Sequence, residues 1–318
     1  MVQNRQVGWL TVNRKTGEFI REQQPLAEKF RLLLLFNPLL EWIDRTNMFR
    51  WWLHRQNDMA YKKEAKPESK KQIRPFIEAY KINMADFEPS DPDAYTTFYD
   101  FFIRKHTPSS RPLHAPDDPT AAVCAADCRL VVYETVAESH KIWIKGNHFS
   151  IAALILDKVA AKPWDNGAIA SFRLNPQDYH RYHSPVAGTV KWWKELDGQY
   201  YSVDPLAITS SVDILTANAR CAFCLASPEF GDVLFVAIGA DEVGTVKLAE
   251  KAMTPGAPIA KGEEVGCFEF GGSSVVVAFE PGRIVFDQDL VEWSKKAVEV
   301  DVEVLSSLGR ASAPGKSA

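Results

Sequence analysis

Short strand-length runs in the second half of the chain constrain its fold more than any other feature. "RLVVYETV", "HKIWIKG", "GTVKWWKEL", "GDVLFVAIGA" and "SVVVAF" are rich in β-branched and aromatic residues and bounded by Gly, Pro or Asp. "VEVDVEV", at 298–304, alternates valine with acid at a period of two, the pattern of a half-buried strand. A short helix is expected in "FSIAALILDKVA", and the final "RASAPGKSA" reads as a loose tail. This part of the chain predicts a β-rich core.

The first part differs. Between residues 25 and 60, leucines, Trp42, Phe49, Trp51 and Trp52 are interleaved with Arg31, Arg45, Arg50, His54 and Arg55. That composition suits short amphipathic helices, either lying at a membrane interface or covering the core. A further helix is expected in "KKQIRPFIEAYKI", where Ile73, Phe76, Ile77 and Tyr80 share one face. "PSDPDAYTTFYDFFIRKHTPSSRPLHAPDDP" reads as a turn-rich connector with an aromatic knot. The expected organisation is an N-terminal helical region, 1–85, followed by a β-rich core, 86–318.

At 46% apolar and 25% charged residues the composition is that of an ordinary soluble globular protein, and a net charge of −4 gives no reason to expect nucleic acid. Five cysteines are too few and scattered for a disulfide scaffold. Cys221 and Cys224 form one C-x-x-C without a second ligand pair, so no metal is expected. The opening residues lack the apolar core of a signal peptide, and "LLLLF" at 32–36 is broken by Asn37 and Pro38. The expectation is a cytoplasmic chain, at most peripherally associated with membrane.

Three weak chemical signals remain. In "FRLNPQDYHRYHSPVAGTV", His180 and His183 stand three apart with Asp178 before them, either as proton carriers, as a metal pair with no obvious third ligand nearby, or as structural loop histidines. Asp127, in "AADCRL", stands at a strand entrance, a position usual for a turn acid. "CFEFGGSSVVVAFE" interrupts an apolar strand with Gly271, Gly272, Ser273 and Ser274. On the motif alone this is a β-bulge. A serine after glycine can also attack the preceding carbonyl, shift the peptide to an ester and leave a pyruvoyl group.

The order of "FFIRKHTPSSRPL", "IWIKGNHFSI", "FRLNPQDYHRYHSPVAG", "YYSVDPLAI", "VAIGADEVGTV" and "GEEVGCFEFGGSSVVVAFEPG" resembles the successive motifs of phosphatidylserine decarboxylases, from about residue 73 to the end. The resemblance implies an α+β fold, with N-terminal helices packed on the β-rich core, and a homodimer. It implies self-cleavage between Gly272 and Ser273 into a β chain, 1–272, and an α chain, 273–318, with Ser273 becoming the pyruvoyl group. By the same resemblance His183 is the base, Asp127 orients it, and His180 donates a proton during decarboxylation. The implied substrate is phosphatidylserine at a membrane surface. Ser274 stands where threonine is usual, Ala125 and Cys128 flank Asp127 where proline and glycine or serine are usual, and Ala187, Asp241 and Glu242 also depart from the pattern. These departures leave room for a soluble decarboxylase of a free, for example aromatic, L-amino acid. A non-catalytic scaffold has no use for all four of Asp127, His180, His183 and Ser273, and a Ser-His-Asp hydrolase would lack its G-x-S-x-G elbow.

Overall fold

An unbroken apolar run such as Val275–Phe279 is stable as a strand only where neighbours satisfy both edges and both faces are covered. The computed structural model describes residues 4–25, 64–142, 150–198, 214–239, 246–269 and 273–312. In chain order its first nine strands are β1 (Asn4–Asn13), β2 (Phe19–Pro25), β3 (Phe87–Glu88), β4 (Lys105–His106), β5 (Ala121–Val123), β6 (Cys128–Tyr133), β7 (Ala168–Leu174), β8 (Arg181–His183) and β9 (Gly188–Leu196). The others are β10 (Arg220–Ser227), β11 (Gly231–Gly239), β12 (Val246–Leu248), β13 (Pro258–Ile259), β14 (Glu264–Phe268), β15 (Ser273–Phe279), β16 (Ile284–Phe286), β17 (Glu299–Val302) and β18 (Ser307–Ala311).

Ten of these form one sheet, in the order β13-β9-β10-β11-β15-β7-β6-β17-β1-β2. Every residue of β15 is buried, as the apolar run requires, and it pairs antiparallel with β11 and β7. β17 enters the same sheet elsewhere, between β6 and β1. The segment from Ser273 onward therefore contributes two separate interior strands. Smaller sheets, β12-β14-β8 and β16-β18-β5, flank the main one.

The helices are short: α1 (Ile73–Tyr80), α2 (Phe98–Phe102), α3 (Val136–Ile142), α4 (Ile151–Ile155), α5 (Ile214–Ala217) and α6 (Gln288–Lys295). α6 packs on β6 and takes the Val132 amide on Ser294 Oγ at 2.9 Å. The aromatic knot is α2, opened by a Thr97–Asp100 capping box. Its Phe98, Phe101 and Phe102 bury with Ile73 and Tyr95 in a second, smaller core.

Helix and sheet together bear out the α+β class, with local differences. Residues 4–25 fall within the expected helical region but form the β1–β2 hairpin, and Thr11, Val12 and Asn13 pair with Glu299, Val300 and Asp301 of β17. The reason is local: Asn13 Oδ1 accepts from the amides of Lys15 and Thr16, and Gly17 closes the turn at a φ of 71°. "HKIWIKG" is expected as strand, yet 140–142 finish α3. Arg310 and Ala311, expected in the tail, are paired in β18. The expected helices between residues 26 and 63, and with them the Trp51–Trp52 pair, lie outside the described residues.

Candidate active site

The register of the main sheet gathers the sequence signals at one end of it. Ser273 opens β15 opposite Leu174, the last residue of β7. Asp127 immediately precedes β6, whose Arg129 lies opposite Arg173 of β7. At roughly 4.8 Å per strand, Ser273 and Asp127 start about 10 Å apart across the sheet. After β7 comes the loop that carries Asp178 and His180, and then β8, which ends in His183. Gly271 and Gly272 lie outside the described residues.

Ser273 and Ser274 are fully buried, and neither hydroxyl has a hydrogen-bond partner among the described residues. A buried hydroxyl without a partner is costly, and such atoms cluster where chemistry is done. Upstream, Glu269 is buried and accepts from Tyr99 Oη at 2.7 Å while pairing with Lys247. These contacts fix the end of β14 just ahead of the Gly-Gly pair.

His180 is buried against Phe102, ring centroids 4.0 Å apart, so the aromatic knot forms one wall of its site. Its Nδ1 lies 2.9 Å from the Asp178 carbonyl. A carbonyl only accepts, so Nδ1 carries the hydrogen. Its own carbonyl accepts the Phe268 amide at 2.8 Å, which ties the histidine loop to the segment leading into Ser273.

His183 Nδ1 likewise donates to a carbonyl, that of Gly262, at 2.9 Å, and Tyr179 Oη lies 3.1 Å from its Nε2. Burial holds the ring below the ordinary histidine value, with the Gly262 bond opposing. The neutral ring thus carries its lone pair on Nε2, where Tyr179 donates. Gly262 sits at a φ of 76°, and an added Cβ would come 2.7 Å from Leu113, so this position takes glycine.

Asp127 is engaged otherwise than expected. Its carboxylate accepts from His106 Nε2 at 3.0 Å, from Arg111 at 3.0 and 2.8 Å, and from the Val304 amide at 2.7 Å. Burial pushes this carboxyl up, but His106 and Arg111 outweigh it and hold it well below the usual carboxylate range. The histidine hydrogen-bonded to Asp127 is therefore His106, not His183. His106 is clamped by stacking on Phe87 at 4.5 Å and by contact with Tyr179 at 4.2 Å. Asp127 and His183 meet through this stack: Asp127 to His106, His106 against Tyr179, and Tyr179 to His183. The link between the two is therefore indirect, because Arg111 and Val304 also claim the Asp127 carboxylate.

Sequence reasoning missed His106, Arg111, Tyr179 and Gly262. All four stand inside the quoted motifs, but no spacing rule marked any of them for this site. Cys221 and Cys224 lie on β10, where residues three apart face opposite sides, and burial pushes both thiols up to about 12. Asp241 and Glu242 lie outside the described residues.

The family model for phosphatidylserine decarboxylase matches residues 98–301. Among curated relatives, the phosphatidylserine decarboxylase proenzyme 2 of Oryza sativa subsp. japonica is 41% identical over 78% of this chain and 40% of its own length. Proenzyme 3 of Schizosaccharomyces pombe is 36% identical over 96% of the chain and 31% of its own. The chain thus spans two fifths or less of these two relatives. The phosphatidylserine decarboxylase proenzyme of Fusobacterium nucleatum subsp. nucleatum is 32% identical over 94% of the chain and 96% of its own length.

Proposed function

The chain belongs to the phosphatidylserine decarboxylase family, and we propose that it is a self-processing proenzyme whose mature form is a carboxy-lyase, converting phosphatidylserine to phosphatidylethanolamine and CO2. The observation that carries this reading is the buried Ser273 hydroxyl, which has no hydrogen-bond partner among the described residues, at the end of the main sheet where Asp127 precedes β6.

In self-cleavage Ser273 Oγ attacks the Gly272 carbonyl, and His183 Nε2, neutral, set by the Gly262 bond and freed as Tyr179 turns its hydroxyl away, takes the hydroxyl proton. The Gly272–Ser273 C–N bond breaks as the ester forms. Elimination then breaks the Ser273 Cβ–Oγ bond and leaves that oxygen on the Gly272 carboxylate, and water converts residue 273 to the pyruvoyl group with release of ammonia. Tyr179 and His106 connect that base to the ionised Asp127, which favours positive charge on the imidazoles as the proton arrives. Burial of Ser273 at the start of β15, between β11 and β7, fits a residue that is converted to a protein-bound pyruvoyl group. The pyruvoyl carbonyl supplies an electron sink for the pair left behind as CO2 departs. His180, oriented by the Asp178 carbonyl and walled by Phe102, excludes water and delivers the proton that completes the product. The two pieces stay together because β15 and β17 are interior strands, and a piece of 46 residues (273–318) cannot bury a core alone.

The relatives named above are phosphatidylserine enzymes and lend the free-amino-acid alternative no support. The test is CO2 release from phosphatidylserine vesicles. Release from free tryptophan or serine with none from vesicles would reverse the substrate assignment. Among the described residues no helix is long and apolar enough to cross a membrane. We assign contact with the lipid surface to the aromatic and basic residues of the 25–60 segment, whose composition supports it. Replacing Trp51 and Trp52 by serine should weaken binding to anionic vesicles while self-cleavage continues; unchanged binding removes that assignment. The family resemblance also supports a homodimer, which sedimentation would test.

A further inference from the structure

Asp178 stands two residues before His180 and ties both ends of the loop that carries it. Its backbone carbonyl accepts from His180 Nδ1 at 2.9 Å. Its carboxylate accepts from the Asn175 amide at 2.8 Å and from Arg129 Nη1 at 3.1 Å, and its own amide donates to the Asn175 carbonyl at 2.9 Å. Arg104, buried between Phe87 and Phe101, donates to the carbonyls of Gln177 at 2.7 Å and Asp178 at 3.3 Å. Loop and sheet are thus joined through one carboxylate.

We propose that Asp178 is the positioning residue for His180, and that the charge on its carboxylate sets the acid limit of decarboxylation. The proposal rests on the role given to His180 above.

The charged groups facing Asp178 come from four places: Arg129 on β6, Asp127 just before it, Asp301 on β17, and Arg104 after α2. Arg129 also serves Asp301, at 3.2 Å, so it is shared between two acids. Burial pushes the Asp178 carboxyl up to about 6, with Arg129 opposing the rise and Asp301 adding to it. The carboxyl lines a cleft of about 370 Å³ together with Asp127, Arg129 and Asp301, so solvent protons reach it. On protonation the charge-assisted bond from Arg129 is lost and Arg129 is left to Asp301. The loop then loses its tether to β6, and with it the fixed direction of the His180 ring. A misplacement of about 1 Å in a catalytic group costs on the order of 10²-fold in rate.

The test compares the full chain with its Asp178→Asn and Asp178→Ala variants on phosphatidylserine vesicles, across the range from weakly acid to weakly alkaline. Self-cleavage should proceed in all three, because Asp127, His183 and Ser273 are intact. Wild-type kcat should fall toward acid with a midpoint near the Asp178 value of about 6. Asp178→Ala should lower kcat by about 10²-fold with KM within about twofold, and its profile should lose that acid limb. Asp178→Asn, which still accepts the Asn175 amide, should recover part of kcat but not the limb. Wild-type kcat and an intact limb in both variants overturn the proposal. Should the variants fail to fold, Arg129→Gln serves, because it removes the same tether and must lower kcat by about 10²-fold and flatten the limb, and a wild-type kcat with the limb in place overturns the proposal. The ring ¹⁵N signals of His180 in the uncleaved Ser273→Ala chain test the same link without turnover. They should change when Asp178→Ala is added, and identical signals overturn the positioning role even if the chain were inactive on phosphatidylserine.

Discussion

Replacing Glu299 by alanine should be among the most damaging single changes in the sheet. Arg173 of β7 donates to Glu299 of β17 at 2.9 and 2.5 Å, with side-chain exposures of only 7% and 2%. Asn175 Oδ1 takes a further Arg173 bond at 2.9 Å. Without Glu299 the buried guanidinium loses both of its charge-assisted bonds to that carboxylate, and removing one partner of a buried ion pair costs about 3–5 kcal/mol. For a chain of this size each kcal/mol lowers Tm by about 2 °C, so the loss should be roughly 6–10 °C. Calorimetry on the Ser273→Ala background would read it free of fragment dissociation. Two controls sharpen the result. Lys295–Glu134, half-exposed at both partners, should be worth under about 1 kcal/mol. The double change Arg173→Met with Glu299→Leu should regain most of the loss, because it removes both charges together. A Tm for Glu299→Ala within about 2 °C of the parent, or a double variant no more stable than the single one, would refute the reasoning. In processed protein the pair spans the two pieces, so Glu299→Ala should also release the 273–318 piece at lower urea.

Asp127→Asn should slow self-cleavage by at least about tenfold, read as the fraction of full-length mass against time, because the relay then lacks its anion. Asp127 also carries an acid signature. Its folded value lies below the unfolded value of about 3.9, so its contribution to stability is complete above that pH and is lost as pH falls further. The parent should therefore lose stability between about pH 5 and pH 3 more steeply than Asp127→Asn does, and equal slopes would contradict the assignment. Gly262→Ala should strain the backbone and shift the carbonyl that holds His183, slowing cleavage far more than Gly256→Ala, whose site is open although its φ is also positive; equal effects would count against the His183 assignment.

Where pattern and packing agreed, the sequence was readable. "GDVLFVAIGA" and "SVVVAF" became interior strands because their continuous apolar runs are buried on both faces, and "VEVDVEV" follows its alternation from Val300 to Val304 but buries the acid Glu299 against Arg173. The helix at Ile73–Tyr80 followed from its one apolar face. The β1–β2 hairpin was missed although Asn13 and Gly17 mark its turn, because the arginine and leucine pattern farther on was extended backwards over it. Its place beside β17 depends on a parallel pairing between residues almost 290 positions apart, which no local signal carries. The site shows the same division. Asp127 and His183 were both legible, but the link between them runs through His106 and Tyr179, by two hydrogen bonds and one ring contact. Those contacts depend on how β4, with His106, packs against the loop bearing Tyr179, a tertiary matter outside any spacing rule.

The central claim is that Ser273 breaks its own chain, and the intact mass of the denatured, purified protein beside a Ser273→Ala control tests it most directly. The account predicts two pieces divided after Gly272 in the parent, the smaller beginning with a pyruvoyl group, and a single mass of 35.7 kDa in the variant. A single full-length mass in both, under conditions where the chain is folded, would contradict it.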